Sequence, residues 1–299
     1  MATGSTAFAC AFDTVLACLM QILGLLLKTS IAALVFATGL KAAPADIAWL
    51  WRRPALLLKA LLAMYVAVPL AAIVMVSTLD LPAGTEIAIV VLAICAGAPL
   101  LPRKLVHFGG DPQYAISLVV ATSLLAVLAV PAWLHILGSR LAINTALTPA
   151  DIARVLARTF LAPLGAGLLV RAVVPGVAKA GDHLLRLATI ALGLCAIVLL
   201  VALRHEVVAL GLPSFLAFAG LALVGIAAGH LLGGPDPSHR TSLAVSCTTR
   251  HVGLALLIAA RAPSPRVLAY VIAYVLATVL VSIPYVRWRQ RTSQQRAEP

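Results

Sequence analysis

Residues 241–260 read TSLAVSCTTRHVGLALLIAA. At its centre Ser246, Cys247, Thr248, Thr249, Arg250 and His251 interrupt an apolar run. Lipid offers these groups no partner, and an arginine at the bilayer centre costs about 2.5–3.5 kcal/mol on the insertion scale. The stretch must therefore face protein or a water-filled cavity. Helical spacing puts Ser246, Thr249, Arg250 and Gly253 on one face. That face presents two hydroxyls and a guanidinium beside a glycine, which permits close backbone approach.

Residues 95–111, CAGAPLLPRKLVHFGGD, form a second interruption. Pro99 and Pro102 break a helix here, because each removes a backbone donor and clashes with the preceding turn. Arg103, Lys104 and His107 follow. Two interrupted hydrophobic segments in corresponding places of two halves point to a transporter binding site.

The surrounding composition is that of a membrane protein. Of 299 residues, 62% are hydrophobic and 11% charged, with a mean hydropathy of +1.06. A soluble domain is roughly 25% charged. The fold class is all-α and polytopic; the alternating segments of a membrane barrel are missing. The net charge of +12 is spread over loop ends, which argues for the positive-inside rule and against nucleic acid as a partner. Cys10, Cys18, Cys95, Cys195 and Cys247 lie in apolar runs, without zinc spacing or a disulfide framework, and read as small core residues.

About nine spans follow from hydropathy, in a first half at 18–138 and a second at 152–288, all within one membrane domain covering 1–299. The first is expected at 18–40, after an interfacial turn carrying Asp13, with Lys28 inside the membrane. Whether 6–27 form a separate span is open. The second, 55–77, carries a Pro69 kink; the third runs from Thr85 into the first break. The fourth, 112–137, holds Thr122 and Ser123 and ends at Pro131 to His135. Spans at 152–174, 183–203 and 212–232 come next; Gly225, Gly229 and Gly233 in the last make a small-residue packing face. A turn at 234–240, the organising stretch, a basic turn at 261–266 and a final span at 267–288 complete the map. Residues 289–299 read as a disordered cytoplasmic tail. No basic n-region precedes the first apolar run, so no cleaved signal peptide is expected.

With the C-terminus inside, Lys41, Arg52, Arg53, Arg171, Lys179, Arg186, Arg240 and the tail arginines share one side. Arg140, Arg204, Arg261 and Arg266 take the other. This predicts an inner-membrane protein with its N-terminus outside and C-terminus cytoplasmic.

At the two interrupted stretches the chain resembles the bile acid:sodium symporter family and its wider superfamily of organic-anion carriers. The resemblance is carried by Gly97-Ala98-Pro99, by Gly110-Asp111, by the change from polar residues to Gly253-Leu254-Ala255, and by the order of spans. It runs from about Gly39 to the last span. It implies inverted repeats, a panel and a core domain, and two broken helices that cross near the midplane, here about 85–109 and 241–260. The chain departs from the sodium-coupled pattern at the ion site. Leu101 and Pro102, followed by Arg103, stand where typical members carry Ser-Asn. Ser246 and Arg250-His251 stand where they carry an acid and a Gln-Asn pair. A guanidinium at about 4–6 Å repels Na⁺ by several kcal/mol at intermediate dielectric.

Arg250, with Arg103, is therefore expected to replace the bound cation and to pair with a carboxylate substrate. His251, Thr249, Ser246, Thr122 and Ser123 complete the candidate substrate site. Thr122, Ser123, Ser246 and Thr248 are the residual sodium-ligand candidates; no metal is assigned. Several bland readings stay open. Arg250 clamps helix-end carbonyls; Arg103 and Lys104 anchor the inside face; Thr122 and Ser123 bond back to their own helix; His107, His135, His183, His205, His230 and His239 are interfacial. His251 is the candidate for proton coupling.

The expected function is alternating-access transport of an organic anion, not enzymatic catalysis, since no serine–histidine, paired-aspartate or HExxH arrangement occurs in the spans. The alternatives are a passive facilitator without a coupling ion, and a transport-inactive sensor or structural protein of the same fold. No cofactor is expected. Na⁺ or H⁺ as coupling ion is open. The expected partners are a small organic anion and the lipid bilayer, with no obligate protein partner.

Overall fold

The computed structural model describes residues 3–97, 105, 109–141, 148–251, 254–255, 258 and 267–295. Helices dominate: α1 (Thr3–Lys41), α2 (Pro44–Ala48), α3 (Pro54–Thr78), α4 (Ala83–Ile94), α5 (Pro112–Leu141), α6 (Pro149–Val173), α7 (Ala178–Ala202), α8 (Arg204–Ala209), α9 (Gly211–Leu232), α10 (Pro237–Thr248) and α11 (Val267–Gln295). The one extended pairing among the described residues is an isolated antiparallel bridge between Ala96 and Arg250.

Among these residues seven helices are long and apolar enough to cross a membrane: Gln21–Lys41, Pro54–Thr78, Pro112–Leu137, Pro149–Val173, Gly181–Ala202, Gly211–Leu232 and Leu268–Thr292. The two other expected spans, α4 and α10, stop short at breaks.

Several boundaries differ from expectation. α1 is a continuous helix of 39 residues, with no turn at Asp13; it is about 58 Å long, roughly twice the hydrocarbon thickness. α3 contains a π-helical turn at Ala63–Ala67, just before Pro69. α6 repeats the device at Ala157–Leu161, before Pro163. Proline lacks the donor that the preceding turn needs, and a wider turn absorbs the mismatch. Pro131 ends nothing: α5 continues through it to Leu141. Residues 237–240 are the first turn of α10, with Asp236 as cap; its carboxylate accepts from the Ser238 amide (2.7 Å). α11 runs on to Gln295 where a disordered tail was expected from 289. Buried Arg289 holds it, donating to the Thr241 hydroxyl and the Pro237 carbonyl, both at 2.8 Å.

The main hydrophobic cluster draws chiefly on α3, α4, α5, α9, α10 and α11, with Met64, Ile89, Leu118, Phe218, Leu243 and Tyr274 among its buried members; Ile152 and Leu156 at the start of α6 and Val207 of α8 join it. α1 packs chiefly on α6 and α7 instead. Gly39 and Gly167 face each other there, so that a Cβ on either would strike the other helix's backbone. Small clusters link α1 to the main body: Val35 with Val119, Phe160 and Leu164, and Leu23 with Leu199 and Ile272. The glycine face of α9 has α10 as its partner. A Cβ on Gly225 would lie 2.8 Å from the Cys247 carbonyl oxygen, one on Gly233 2.5 Å from Arg240 Cα, and one on Gly229 would strike the Ala244 backbone. α10 is thus seated tightly enough to bury every residue from Thr241 to Thr248.

Candidate functional site

The two interruptions meet. α4 ends at Ile94, Cys95 leaves the helical region, and Gly97 turns with φ +84°, a conformation that glycine adopts without steric cost. α10 ends at Thr248, and Thr249 is extended (φ −87°, ψ 132°). The two extended pieces pair through the Ala96–Arg250 bridge, and the His251 amide donates to the Cys95 carbonyl at 3.0 Å. The first break comes earlier than the prolines suggested, at Cys95–Gly97. Pro99, Pro102, Arg103, Lys104, His107 and Gly253 lie outside the described residues.

Arg250 is therefore beyond the end of α10, and the expected helical face of Ser246, Thr249, Arg250 and Gly253 does not form. The physical reason is the extended turn at Thr249 that aligns Arg250 with Ala96. The guanidinium is nonetheless buried, at 3% exposure. Its Nη1 donates to the Ala93 carbonyl at 3.4 Å; Nε and Nη2 have no hydrogen-bond partner among the described residues. The chain's carboxylates explain this. Asp46, Asp80, Glu86, Asp111, Asp151, Asp182, Glu206 and Asp236 sit at helix ends or connectors, Asp13 lies in the first turns of α1, and Glu298 is at the C-terminus. What tolerates the charge is the local backbone. The C-terminal ends of α4 and α10 meet here, and helix C-termini carry about half a negative charge each.

The other candidates sit in graded proximity. Thr122 is fully buried and abuts the first break: a Cβ on Gly97 would lie 2.5 Å from its Oγ1. Its hydroxyl donates to Leu118 O (2.8 Å) and Val119 O (3.1 Å), which leaves lone pairs free. Ser123 is buried, with no partner for Oγ among the described residues. Thr248 and Thr249 bond back to Val245, and Thr249 also to Ser246. Ser246 is buried at the end of α10. The back-bonding reading thus holds for Thr122 and not for Ser123.

His251 has a different place from the one its sequence neighbours implied. Its Nδ1 accepts from the Leu254 amide at 3.2 Å, and its carbonyl accepts from Leu254 and Ala255. It caps the turn that leaves the break. Protonation at Nδ1 would remove that acceptor, and Nε2 is buried without a hydrogen-bond partner among the described residues.

Two tyrosines escaped the sequence reading. Tyr65, in the π-turn of α3, donates to the Thr122 carbonyl at 2.6 Å. Tyr274 of α11 donates to the Thr248 carbonyl at 2.5 Å. Each pins a chain segment beside the break. The available signal was the type itself: a tyrosine in a membrane-buried apolar run needs a partner for its hydroxyl.

At the end of the molecule where α5 and α10 begin, polar side chains are paired. His239 Nε2 lies 3.5 Å from Asp111 and 4.0 Å from Asp236, with its ring stacked on Tyr114 at 5.1 Å. Ser242 Oγ accepts from the Asp111 amide at 2.8 Å, and Asp111 caps α5 by accepting from Gln113 and Tyr114.

A family model described as "Sodium Bile acid symporter family" matches residues 29–210. That segment includes the first break, Thr122 and Ser123, and stops short of Ser246–His251. Among curated proteins no relative matches the chain.

Proposed function

The chain belongs to the sodium bile acid symporter family, and from that premise we propose that it is a secondary carrier that moves an organic anion by alternating access without the family's sodium chemistry. The single observation behind this is Arg250: a buried guanidinium, with two nitrogens unpartnered among the described residues, where the two broken segments meet. Such a group costs several kcal/mol unless something completes its hydrogen bonds. A carboxylate does so in a bidentate fork.

In this reading Arg250 supplies permanently the positive charge that a bound sodium supplies elsewhere. Ser246, Thr249, Thr122 and Ser123 surround the anion; Arg103, outside the described residues, is the second candidate cation. The body built on α3, α4, α5, α9, α10 and α11 moves against α1, α6 and α7 across the small contact clusters between them and the Ile152–Leu156 contact at the start of α6. The protein lies in the inner membrane with its C-terminus cytoplasmic. Charge neutralisation by Arg250 also favours the passive facilitator as the second reading, since no ion need be bound with the anion. Accumulation of substrate against its gradient excludes that reading.

The test is thermal unfolding of purified protein against a panel of small and amphipathic carboxylates, each in NaCl and in KCl. An anion at 100 times its Kd adds about 2.7 kcal/mol of stability. Equal stabilisation in both salts, lost in Arg250→Ala, is the expected result. Stabilisation that needs Na⁺, or survives intact in Arg250→Ala, overturns the proposal.

A further inference from the structure

The last helix carries a polar stripe that the anion site does not use. Tyr274, Thr278, Ser282, Tyr285 and Arg289 follow one another in α11. At 100° per residue they fall within an arc of about 80°. The ends of the stripe show what it faces. Tyr274 donates to Thr248 of α10 and meets Phe218 of α9 edge-on. Tyr285 pairs with His230 of α9 at 3.0 Å and packs against the buried cluster of Leu105, Ala115 of α5 and Val245 of α10. Arg289 reaches Thr241 of α10. The whole stripe therefore looks into the seam between α9, α10 and α11.

Its middle is anomalous. Thr278 Oγ1 and Ser282 Oγ are buried without a hydrogen-bond partner among the described residues. Neither makes the bond to its own helix that Thr122, Thr159 and Thr189 make. Residues four apart are separated by about 6 Å along the axis. Three hydrogen bonds of about 2.8 Å each span that distance through two water molecules. Buried water of this kind commonly satisfies two to four polar groups.

We propose that this seam holds a single file of water from the His230–Tyr285 pair, through Ser282 and Thr278, to Tyr274 and Thr248, two residues from Arg250. It gives the buried break an aqueous route from the end of the molecule that carries Arg289, inside the main helical body and separate from its boundary with α1, α6 and α7. The route stands whether or not Arg250 receives an anion.

Single cysteines at 278 and 282 in the full chain, in sealed membrane vesicles of both orientations, test this with a membrane-impermeant methanethiosulfonate. Trp288→Cys, at the exposed end of the helix, serves as positive control. Val279→Cys and Leu280→Cys, whose parent side chains are 52% and 64% exposed on the outer face of α11, serve as lipid-facing controls. Background is read from the parent chain. Ser282→Cys and Thr278→Cys should label from the Trp288 side only, at least about tenfold faster than the lipid-facing pair. Labelling as slow as that pair, with Trp288→Cys reactive, overturns the file. Thermal midpoints of Thr278→Val and Ser282→Ala decide independently. Loss of a water-held hydroxyl lowers the midpoint, whereas removal of a dry, unpaired one raises it. A rise in either variant overturns the proposal.

Discussion

Arg250 and Arg289 are both buried, at 3% and 9% exposure, and the protein treats them in opposite ways. Arg289 spends its guanidinium on structure, with two bonds of 2.8 Å that tie the end of α11 to the start of α10. Arg250 has a single 3.4 Å contact and two idle nitrogens. The same side chain is a staple where its donors are matched and an open site where they are not. The acidic residues follow the same division: Asp111 and Asp236 gather around His239 at the end where α10 begins, while the described part of the break brings hydroxyls, the His251 ring and helix ends together.

The largest effect is expected at the open arginine. Removing one partner of a buried charge pair costs about 2–5 kcal/mol of binding. Arg250→Ala should thus lower anion affinity by roughly thirtyfold or more, read by uptake or by ligand-dependent unfolding. Stability should move the other way. Replacing a buried ion pair with hydrophobes of similar volume is often neutral or stabilises by about 1–4 kcal/mol, and a guanidinium held by one long bond and helix-end dipoles has less still to lose. Arg250→Met without ligand should therefore unfold at a higher temperature than the parent. A lower midpoint would show that the guanidinium is already paired.

Arg289→Met is the counterpart, and it should destabilise. Hydrogen bonds to charged groups contribute about 1.5–3 kcal/mol each, and two are lost. Opposite signs for the two Arg→Met changes are the sharpest form of the comparison. Equal signs would remove the distinction between staple and site.

The seat of α10 is next. Gly229→Val drives a side chain into the Ala244 backbone. Overpacking a tight interface costs about 1–3 kcal/mol, occasionally more. The shift should propagate along α10 to the break, so anion-dependent stabilisation should weaken together with the unfolding midpoint. Gly193→Val, in α7 with open space around the added Cβ, should do neither.

What the sequence made legible follows the cost of burying polarity in lipid. The charged interruptions at 95–111 and 241–260, the glycine face of α9 and most spans could be read because each violates or satisfies a composition rule. What escaped depended on backbone detail. The extended turn at Thr249 takes Arg250 off the helix, and no spacing rule reports a helix ending at Thr248. The π-turns before Pro69 and Pro163 sit a residue or more ahead of their cause. The Gly39–Gly167 contact joins α1 to α6, and neither glycine is part of a repeated pattern. The helical continuation to Gln295 is held by tertiary contacts, the two bonds of Arg289 among them, in a segment whose composition otherwise reads as solvated.

The smallest effect belongs to the paired end. Burial pushes the Asp236 carboxyl up, but the Ser238 hydroxyl and amide, the adjacent His239 and its amide outweigh burial and hold it below the ordinary value. A folded-state pKa below the unfolded one means that the carboxylate adds its stability in full above the unfolded value, near pH 4, and loses it as pH falls through the folded value. Asp236→Ala removes the cap of α10 and should cost about 1 kcal/mol at neutral pH. As pH falls below the unfolded value, about 4, and on through the lower folded value, the parent carboxyl protonates as well. The gap between parent and variant midpoints should then close. A gap unchanged from pH 7 to pH 3 would mean that the cap works without its charge, and the contrast between a paired end and an unpaired break would rest on the two arginines alone.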